Sequence, residues 1–136
     1  MQTQPFFLDV VTLKKVVFSE PIESVIAPGT VGHFGILAGH TPFVSSLQTG
    51  ITKITKANGE KFNLSTSGGF LMTDGKKVIL LAESAERPEE IDVNRAQRAK
   101  ERAEKRLAEK NPDTDIDRAR TALLRAINRL KLSGGQ

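Results

Sequence analysis

The sequence predicts a mainly β plus α fold: an N-terminal β-sandwich or barrel over residues 1–86, then an antiparallel two-helix hairpin over residues 87–136. Three observations carry this. Residues 1–86 consist of short Val, Ile, Thr and Phe runs separated by closely spaced turn signals, with no helical stretch between them. The hydrophobic period changes from two to 3.6 after Pro88. The second region is itself broken by Asn111-Pro112-Asp113, because proline cannot continue a helical hydrogen-bond ladder.

The strand region is punctuated at Pro28-Gly29, Gly39 to Pro42, Gly50, Asn58-Gly59, Gly68-Gly69 and Asp74-Gly75. Asn58-Gly59 lies between Ile51–Thr55 and Lys61–Thr66, as a type I′ hairpin requires. In the second of those strands Phe62, Leu64 and Thr66 alternate with Lys61, Asn63 and Ser65, which predicts one buried and one wet face. Asp74-Gly75 predicts a further hairpin into Lys77–Ala82. About nine strands without an intervening helix imply a sandwich or barrel.

Pro88-Glu89-Glu90 suits a helix entry, since proline and acids favour a first turn. The helix is expected to run to about Lys110. Asp113, Thr114 or Asp115 can cap a second helix, which Gly134-Gly135 ends. At about 100° per residue, Ala96, Ala99, Ala103 and Leu107 form one stripe of the first helix, and Arg95, Arg98, Arg102 and Arg106 an adjoining one. In the second helix Ile116, Ala119, Leu123, Ala126, Ile127 and Leu130 share an apolar face, with Arg118, Arg125 and Arg129 roughly opposite. An alanine methyl buries far less area than leucine, whose burial is worth about 1.5–3 kcal/mol. The hairpin is therefore expected to be weakly held and able to come apart.

The net charge of +4 is unevenly placed. Residues 1–86 hold seven Lys and seven acids, a net charge of zero. Residues 87–136 hold nine Arg, four Lys and nine acids, and so carry all the excess. The chain has no cysteine, which excludes disulfides and thiolate metal sites. Met1–Asp9 has neither a basic leader nor a long apolar run, so a cleaved signal is not expected. The longest strongly apolar stretch, Val78–Ala82, falls far short of the roughly twenty residues of a membrane span.

Catalytic patterns are missing. The two histidines, His33 and His40, fall in Gly32–Pro42 at a spacing that matches no helical zinc motif, and they read as loop or turn residues. No phosphate-cradling glycine motif is present, and Gly29, Gly32, Gly35 and Gly39 read as positive-φ turn residues. Ser45, Ser46, Ser65 and Ser67 have no evident base and orienter. A non-catalytic binding protein is expected.

The arginine-rich hairpin leaves four readings open. It can be a solvated face, with Glu101–Lys105 as an ordinary i,i+4 pair. It can bind nucleic acid, although tyrosine and tryptophan are absent and acids are interspersed. It can dock on an acidic protein surface, favoured by five basic residues and no acid from Arg118 onward. It can grip phosphate bidentately.

The segment Ile91-Asp92-Val93-Asn94-Arg95-Ala96 resembles the I/L-D-x-x-R-A motif that opens the C-terminal hairpin of the ε subunit of rotary F-type ATP synthases. Phe7-Leu-Asp-Val-Val-Thr resembles that family's opening strand, and Gly32–Pro42 its G-x-x-G-I-L/Y-x-G-H-x-P signature. Ser67-Gly-Gly-Phe is similar to its S-G-G-F/I element. Ile116–Arg120 and Ala122–Leu130 are similar to its last helix. The order, spacing and near-complete coverage make the set specific.

The resemblance implies a ten-stranded β-sandwich followed by the hairpin. It implies a non-catalytic central-stalk subunit that couples proton flow to ATP synthesis. The sandwich would bind the γ subunit and the membrane c-ring. The hairpin would fold down, or rise into the catalytic αβ head and block ATP hydrolysis, its basic residues Arg118, Arg120, Arg125 and Arg129 meeting acidic segments. His33 matches a position that is often acidic and faces the c-ring loops. No cofactor is required, but in some bacterial members the folded-down hairpin binds ATP as a regulatory ligand. The matching positions are Glu86, Ile91, Asp92, Arg95, Ala96, Arg102, Arg125 and Arg129. No nucleic-acid partner, a monomer when isolated, and membrane association only through the complex are expected. The expected place is the cytoplasmic face of a bacterial plasma membrane, with the thylakoid as the alternative. A nucleic-acid-binding module with an Arg-rich arm, or a free-standing nucleotide sensor, would be the competing functions.

Overall fold

Among the described residues nine strands are laid down before any α-helix: β1 (Phe6–Val11), β2 (Val16–Gly29), β3 (Gly32–Leu37), β4 (Phe43–Ser46), β5 (Gly50–Lys56), β6 (Lys61–Ser67), β7 (Phe70–Thr73), β8 (Lys77–Leu81) and β9 (Ser84–Glu86). A 3₁₀ turn (Pro88–Glu90) and two helices, α1 (Val93–Glu109) and α2 (Ile116–Ser133), follow. The computed structural model describes residues 6–134, so the expectations on residues 1–5 and on Gly135 lie outside the described residues. The chain divides into two compact units, Met1–Arg87 and Pro88–Gln136.

The first unit is a sandwich-like sheet in the order β4-β7-β8-β1-β2-β5-β6-β9, with β3 also on β2. All pairs are antiparallel except β1 with β8. β2 makes the two layers possible. Its first part pairs with β1, its second with β3 and β5, and its ladder register shifts between Ile22 and Ser24. A bulge of this kind bends a strand and increases its twist. β2 therefore runs unbroken from one layer into the other, and nine strands are described where the resemblance implies ten. Between the layers lie Leu8, Ile22, Ile36, Ile54, Leu64, Leu71 and Leu80, all buried to within 1%. A hydrogen bond of 2.8 Å between the buried Thr52 and Thr66 hydroxyls satisfies the polar atoms there.

Several turns differ from their sequence reading. The Asn58-Gly59 hairpin exists, but only Gly59 has positive φ (87°), whereas type I′ needs it at both central residues. Gly59 N donates to Lys56 O and Lys56 N to Glu60 O, both at 2.8 Å, which closes a three-residue loop ending in a glycine bulge. Gly32 and Gly39 have positive φ as expected, but Gly29 and Gly35 lie within strands and do not. Pro28-Gly29 ends β2 rather than turning, and the turn falls on Thr30-Val31. Gly29 is needed for closeness instead: a Cβ there would lie 2.7 Å from Gly32 O. His33 is a strand residue of β3, paired with Pro28, and not a loop residue. Ser65 and Ser67 are 5% exposed, so the second half of β6 is covered on both faces; the Ser67 hydroxyl pairs with Thr49 at 3.2 Å.

The Asp74-Gly75 turn forms as expected. Asp74 Oδ1 accepts from the backbone N–H of Lys76 and Lys77, which lowers the Asp74 pKa. Asp9 on β1 accepts from Ser19 Oγ on β2 at 2.6 Å and meets Lys77 Nζ, across the parallel β1–β8 pair, at 3.0 Å. Both contacts, Ser19 first, hold the Asp9 carboxyl below the ordinary value of 3.8. A depressed carboxylate pKa contributes stability above the unfolded value and loses it as pH falls through the folded one. Asp9→Asn is thus expected to cost about 0.5–1 kcal/mol at neutral pH. Urea midpoints of variant and parent should converge once the pH is below the folded Asp9 pKa.

In the second unit the proline does not open α1. Pro88–Glu90 makes a separate 3₁₀ turn, and the helix starts at Val93 after an Asp92 cap. α1 stops where Lys110 turns left-handed (φ 51°), and α2 ends at Gly134 (φ 78°). The two helices pack on each other. The buried alanines Ala96, Ala103, Ala119 and Ala126, with Leu130, come from the predicted stripes. Ile116 does not join them: as the first residue of α2 it is 52% exposed. The expected Glu101–Lys105 pair is replaced by Gln97 to Glu101 (3.2 Å) and Lys105 to Glu109 (3.9 Å). Among the described residues no helix is long and apolar enough to cross a membrane.

Candidate functional site

The Ile91–Ala96 segment has a local structural logic. Asp92 Oδ1 accepts from Arg95 N at 3.0 Å and so caps α1. Ile91 before the cap and Ala96 at the fourth helical position are both buried, which are the positions of a hydrophobic staple. The same D-x-x-R-A spacing opens α2, where Asp115 Oδ1 accepts from Arg118 N at 3.0 Å and Ala119 is buried. That recurrence stands in the sequence as Asp92-x-x-Arg95-Ala96 and Asp115-x-x-Arg118-Ala119, and it marks both helix starts. Three of the eight candidate nucleotide positions, Ile91, Asp92 and Ala96, thus have a folding role.

The charged candidates are distributed as follows. Arg95 and Arg102 are exposed on α1, and Arg125 and Arg129 are half-buried on α2. Arg118 and Arg120, expected to meet a partner, are exposed. A cleft of about 640 Å³ brings Arg106, Arg118 and Arg125 together with Asp115, Asp117 and Thr121. Of the eight nucleotide candidates that cleft contains Arg125 alone. Glu86, the remaining one, is the last residue of β9 in the other unit, opposite Ser65. Asn128, at no position the sequence singles out, is 7% exposed although it lies across α2 from the apolar face.

On the sandwich, His33 is exposed. His40 is half-turned into its own segment, with Nδ1 2.8 Å from Thr41 O and its ring against Phe43. Among the described residues no group of three or more His, Cys, Asp and Glu could hold a metal ion.

A further surface is not among the sequence candidates. In the β4-β7-β8 layer Val44 pairs with Met72 and Met72 with Ile79, while Phe70 pairs with Leu81. These five residues alternate with the buried Leu71, Thr73, Val78 and Leu80, so they share the outer face. Val44, Phe70 and Leu81 are 67%, 53% and 41% exposed, and the neighbouring Leu13 is fully exposed. A groove of about 420 Å³ runs between Leu13, Leu47, Gly69, Phe70 and Leu81. The signal was present in Val78-Ile79-Leu80-Leu81, an unbroken apolar run of the kind found where a strand is covered on both faces.

Comparison with known proteins agrees with both halves of the chain. The sequence model of the ATP synthase delta/epsilon chain beta-sandwich domain matches residues 5–88, and that of the delta/epsilon chain long alpha-helix domain matches residues 89–134. The ATP synthase epsilon chain of Desulforamulus reducens is 47% identical, covering 91% of this chain and 93% of its own length. That of Carboxydothermus hydrogenoformans is 51% identical, over 77% of this chain and 78% of its own. In fold, the chain is similar to one from the cryo-EM structure of the Euglena gracilis mitochondrial ATP synthase (OSCP/F1/c-ring). The TM-score is 0.72 at 24% identity, over 96% of this chain and 78% of that one. Matched along almost its whole length by both domains and by bacterial epsilon chains, the chain belongs to the ATP synthase delta/epsilon chain family.

Proposed function

We propose that the chain is a non-catalytic central-stalk subunit of a bacterial F-type ATP synthase, at the cytoplasmic face of the membrane. The sandwich docks on the γ subunit and the c-ring and turns with them. The arginine-bearing hairpin is a movable arm that restrains ATP hydrolysis. The observation that carries this, beyond family membership, is the outward apolar face of Val44, Phe70, Met72, Ile79 and Leu81. A contiguous apolar face on a small domain marks an interaction surface. In fold the chain is also similar to one from the Tetrahymena thermophila mitochondrial ATP synthase central stalk/c-ring structure, at a TM-score of 0.58 and 11% identity. Phe70→Asp places a carboxylate in this face and is expected to weaken capture by immobilised γ subunit at least about tenfold, roughly 1.4 kcal/mol. An exposed control, Leu124→Asp on α2, should leave capture unchanged. Equal capture of parent and Phe70→Asp would remove the docking assignment.

ATP is the proposed regulatory ligand of the folded-down arm. The half-buried Arg125 and Arg129 on one face of α2, with Arg95 and Arg102 on one face of α1, support this reading. Guanidinium groups grip phosphate oxygens in pairs. A ligand that binds only the folded-down state favours it by mass action. Calorimetry should show heat with ATP and less with GTP. Arg125→Ala should lose at least about tenfold in affinity, the loss of one charge-assisted contact. No ATP heat at millimolar nucleotide would leave the arginines to contacts with neighbouring subunits.

A further inference from the structure

The two units meet, along the chain, at Arg87 and Pro88. Arg87 is fastened to the sandwich. Its Nη2 donates to Val17 O at 2.9 Å, and its guanidinium lies over the Phe62 ring, 5.1 Å from the centroid. Phe62 packs on Phe18, with ring centroids 5.3 Å apart. Lys56 Nζ is 5.3 Å from the Phe62 centroid and 5.9 Å from that of Phe18. Val17 and Phe18 belong to the first part of β2 and Phe62 to β6, so one side chain ties the chain end to strands of both layers. Among the described residues β9 is three residues long and pairs with β6, a short ladder that the Arg87 side chain reinforces.

Pro88 is fastened to the other unit. Ile91 N donates to Pro88 O at 3.2 Å, Ile91 is buried, and the 3₁₀ turn packs against α2. What separates the two attachments is a single peptide junction. Proline fixes its own φ near −65° and confines the preceding residue to extended conformations. The two fastened ends thus lie one peptide unit apart.

We infer that Arg87 is a clamp. It holds the end of β9 against Phe62 and Val17, so that flexing between the units is confined to the Arg87–Pro88 junction and does not strip β9 from the sheet. The inference rests on the reading of the hairpin as a movable arm, since only a pulled chain end needs such a fastening. Arginine suits the task because its planar group stacks on a ring while donating in plane, which an ammonium cannot do.

The test uses the full chain and hydrogen exchange read by mass spectrometry. Arg87→Ala is expected to speed exchange in the Ser84–Glu86 peptide about tenfold, as for a strand opened locally. Exchange in the β1 and β8 peptides should stay unchanged. Arg87→Lys, which keeps the charge and loses the stacked donor, should fall between the two. Unchanged exchange at Ser84–Glu86 in Arg87→Ala, or equal acceleration through the whole sandwich, overturns the clamp. The absence of cysteine allows a dye pair to be placed at Asn58 and Lys110 through two introduced thiols. With the clamp, Arg87→Ala broadens the distance distribution relative to the parent, and an unbroadened distribution counts against it. A single fixed distance in the parent chain overturns the movable-arm reading, and the β9 exchange result then decides the clamp separately.

Discussion

Replacing Gly69 by alanine should be the most damaging single-atom addition in the sandwich, with an expected cost of about 3–5 kcal/mol. The glycine lies at φ 95°, and a Cβ there would fall 1.7 Å from Leu81 O and 2.9 Å from Ala82 Cα. The clash is with backbone on both counts, so no side chain can swing aside to relieve it. The neighbouring ladder also cannot yield cheaply, because Leu47 N donates to Gly69 O at 2.8 Å and Ala82 N to Val11 O at 2.9 Å. Gly59→Ala is the matched control. Gly59 has a similar φ, 87°, but nothing within 4 Å of the added carbon. It should lose only the left-handed penalty of about 1–2 kcal/mol. Denaturant unfolding of the two variants separates backbone strain from steric exclusion. Equal losses would show that the 1.7 Å approach does not constrain the folded chain.

The second large effect is expected in the helical unit. Ala126 is completely buried, and Ala96, Ala103 and Ala119 are each 3% exposed. Helices that meet through alanines approach closely and leave no room for a larger side chain. Ala126→Leu adds three carbons to that seam and should cost about 1–3 kcal/mol by overpacking. Ala108→Leu adds the same atoms on an exposed part of α1 and should be close to neutral. Circular dichroism would register the first change as an earlier loss of helical signal, while the sandwich transition stays in place. If Ala126→Leu melts no earlier than Ala108→Leu, the seam is looser than the burial of its alanines implies.

The sequence was most legible where one residue type dictates the backbone. The Asp74-Gly75 turn, the break at Asn111–Asp113 and the Gly134 end were all readable, because few residues tolerate those conformations. The alanine stripes were readable because helical period alone assigns them. What failed were features set by the neighbouring strand. Gly29 and Gly50 resemble turn glycines, yet both lie in strands, where a Cβ would strike Gly32 O or Pro28 Cβ. Pro88 looked like a helix entry because proline suits first turns of 3₁₀ and α alike, and the Asp92 cap decided where the α-helix began. Of the candidate site, the motif Ile91–Ala96 was found, but its capping role needed the second copy at Asp115 to be noticed. The apolar outer face escaped because the alternation in β7 is one of size and contact, not of polarity. Phe70, Leu71 and Met72 are all apolar, and only pairing shows which of them faces out.

The parallel β1–β8 ladder bears on how the chain folds as well as on what it becomes. Leu8 pairs with Val78 and Val10 with Leu80, residues about seventy apart in sequence. β1 therefore has β2 as its only early neighbour, and its second edge waits until β8 has been synthesised. Closing so long a loop costs entropy before any contact repays it, and such topologies fold slowly. The helical unit is the opposite case, since α1 and α2 are separated by six residues and their contacts are local. Helix pairs of that kind form in microseconds to milliseconds. The helical unit is thus expected to acquire its structure quickly, while β1, which precedes β8 by some seventy residues, is among the last strands of the sandwich to be enclosed.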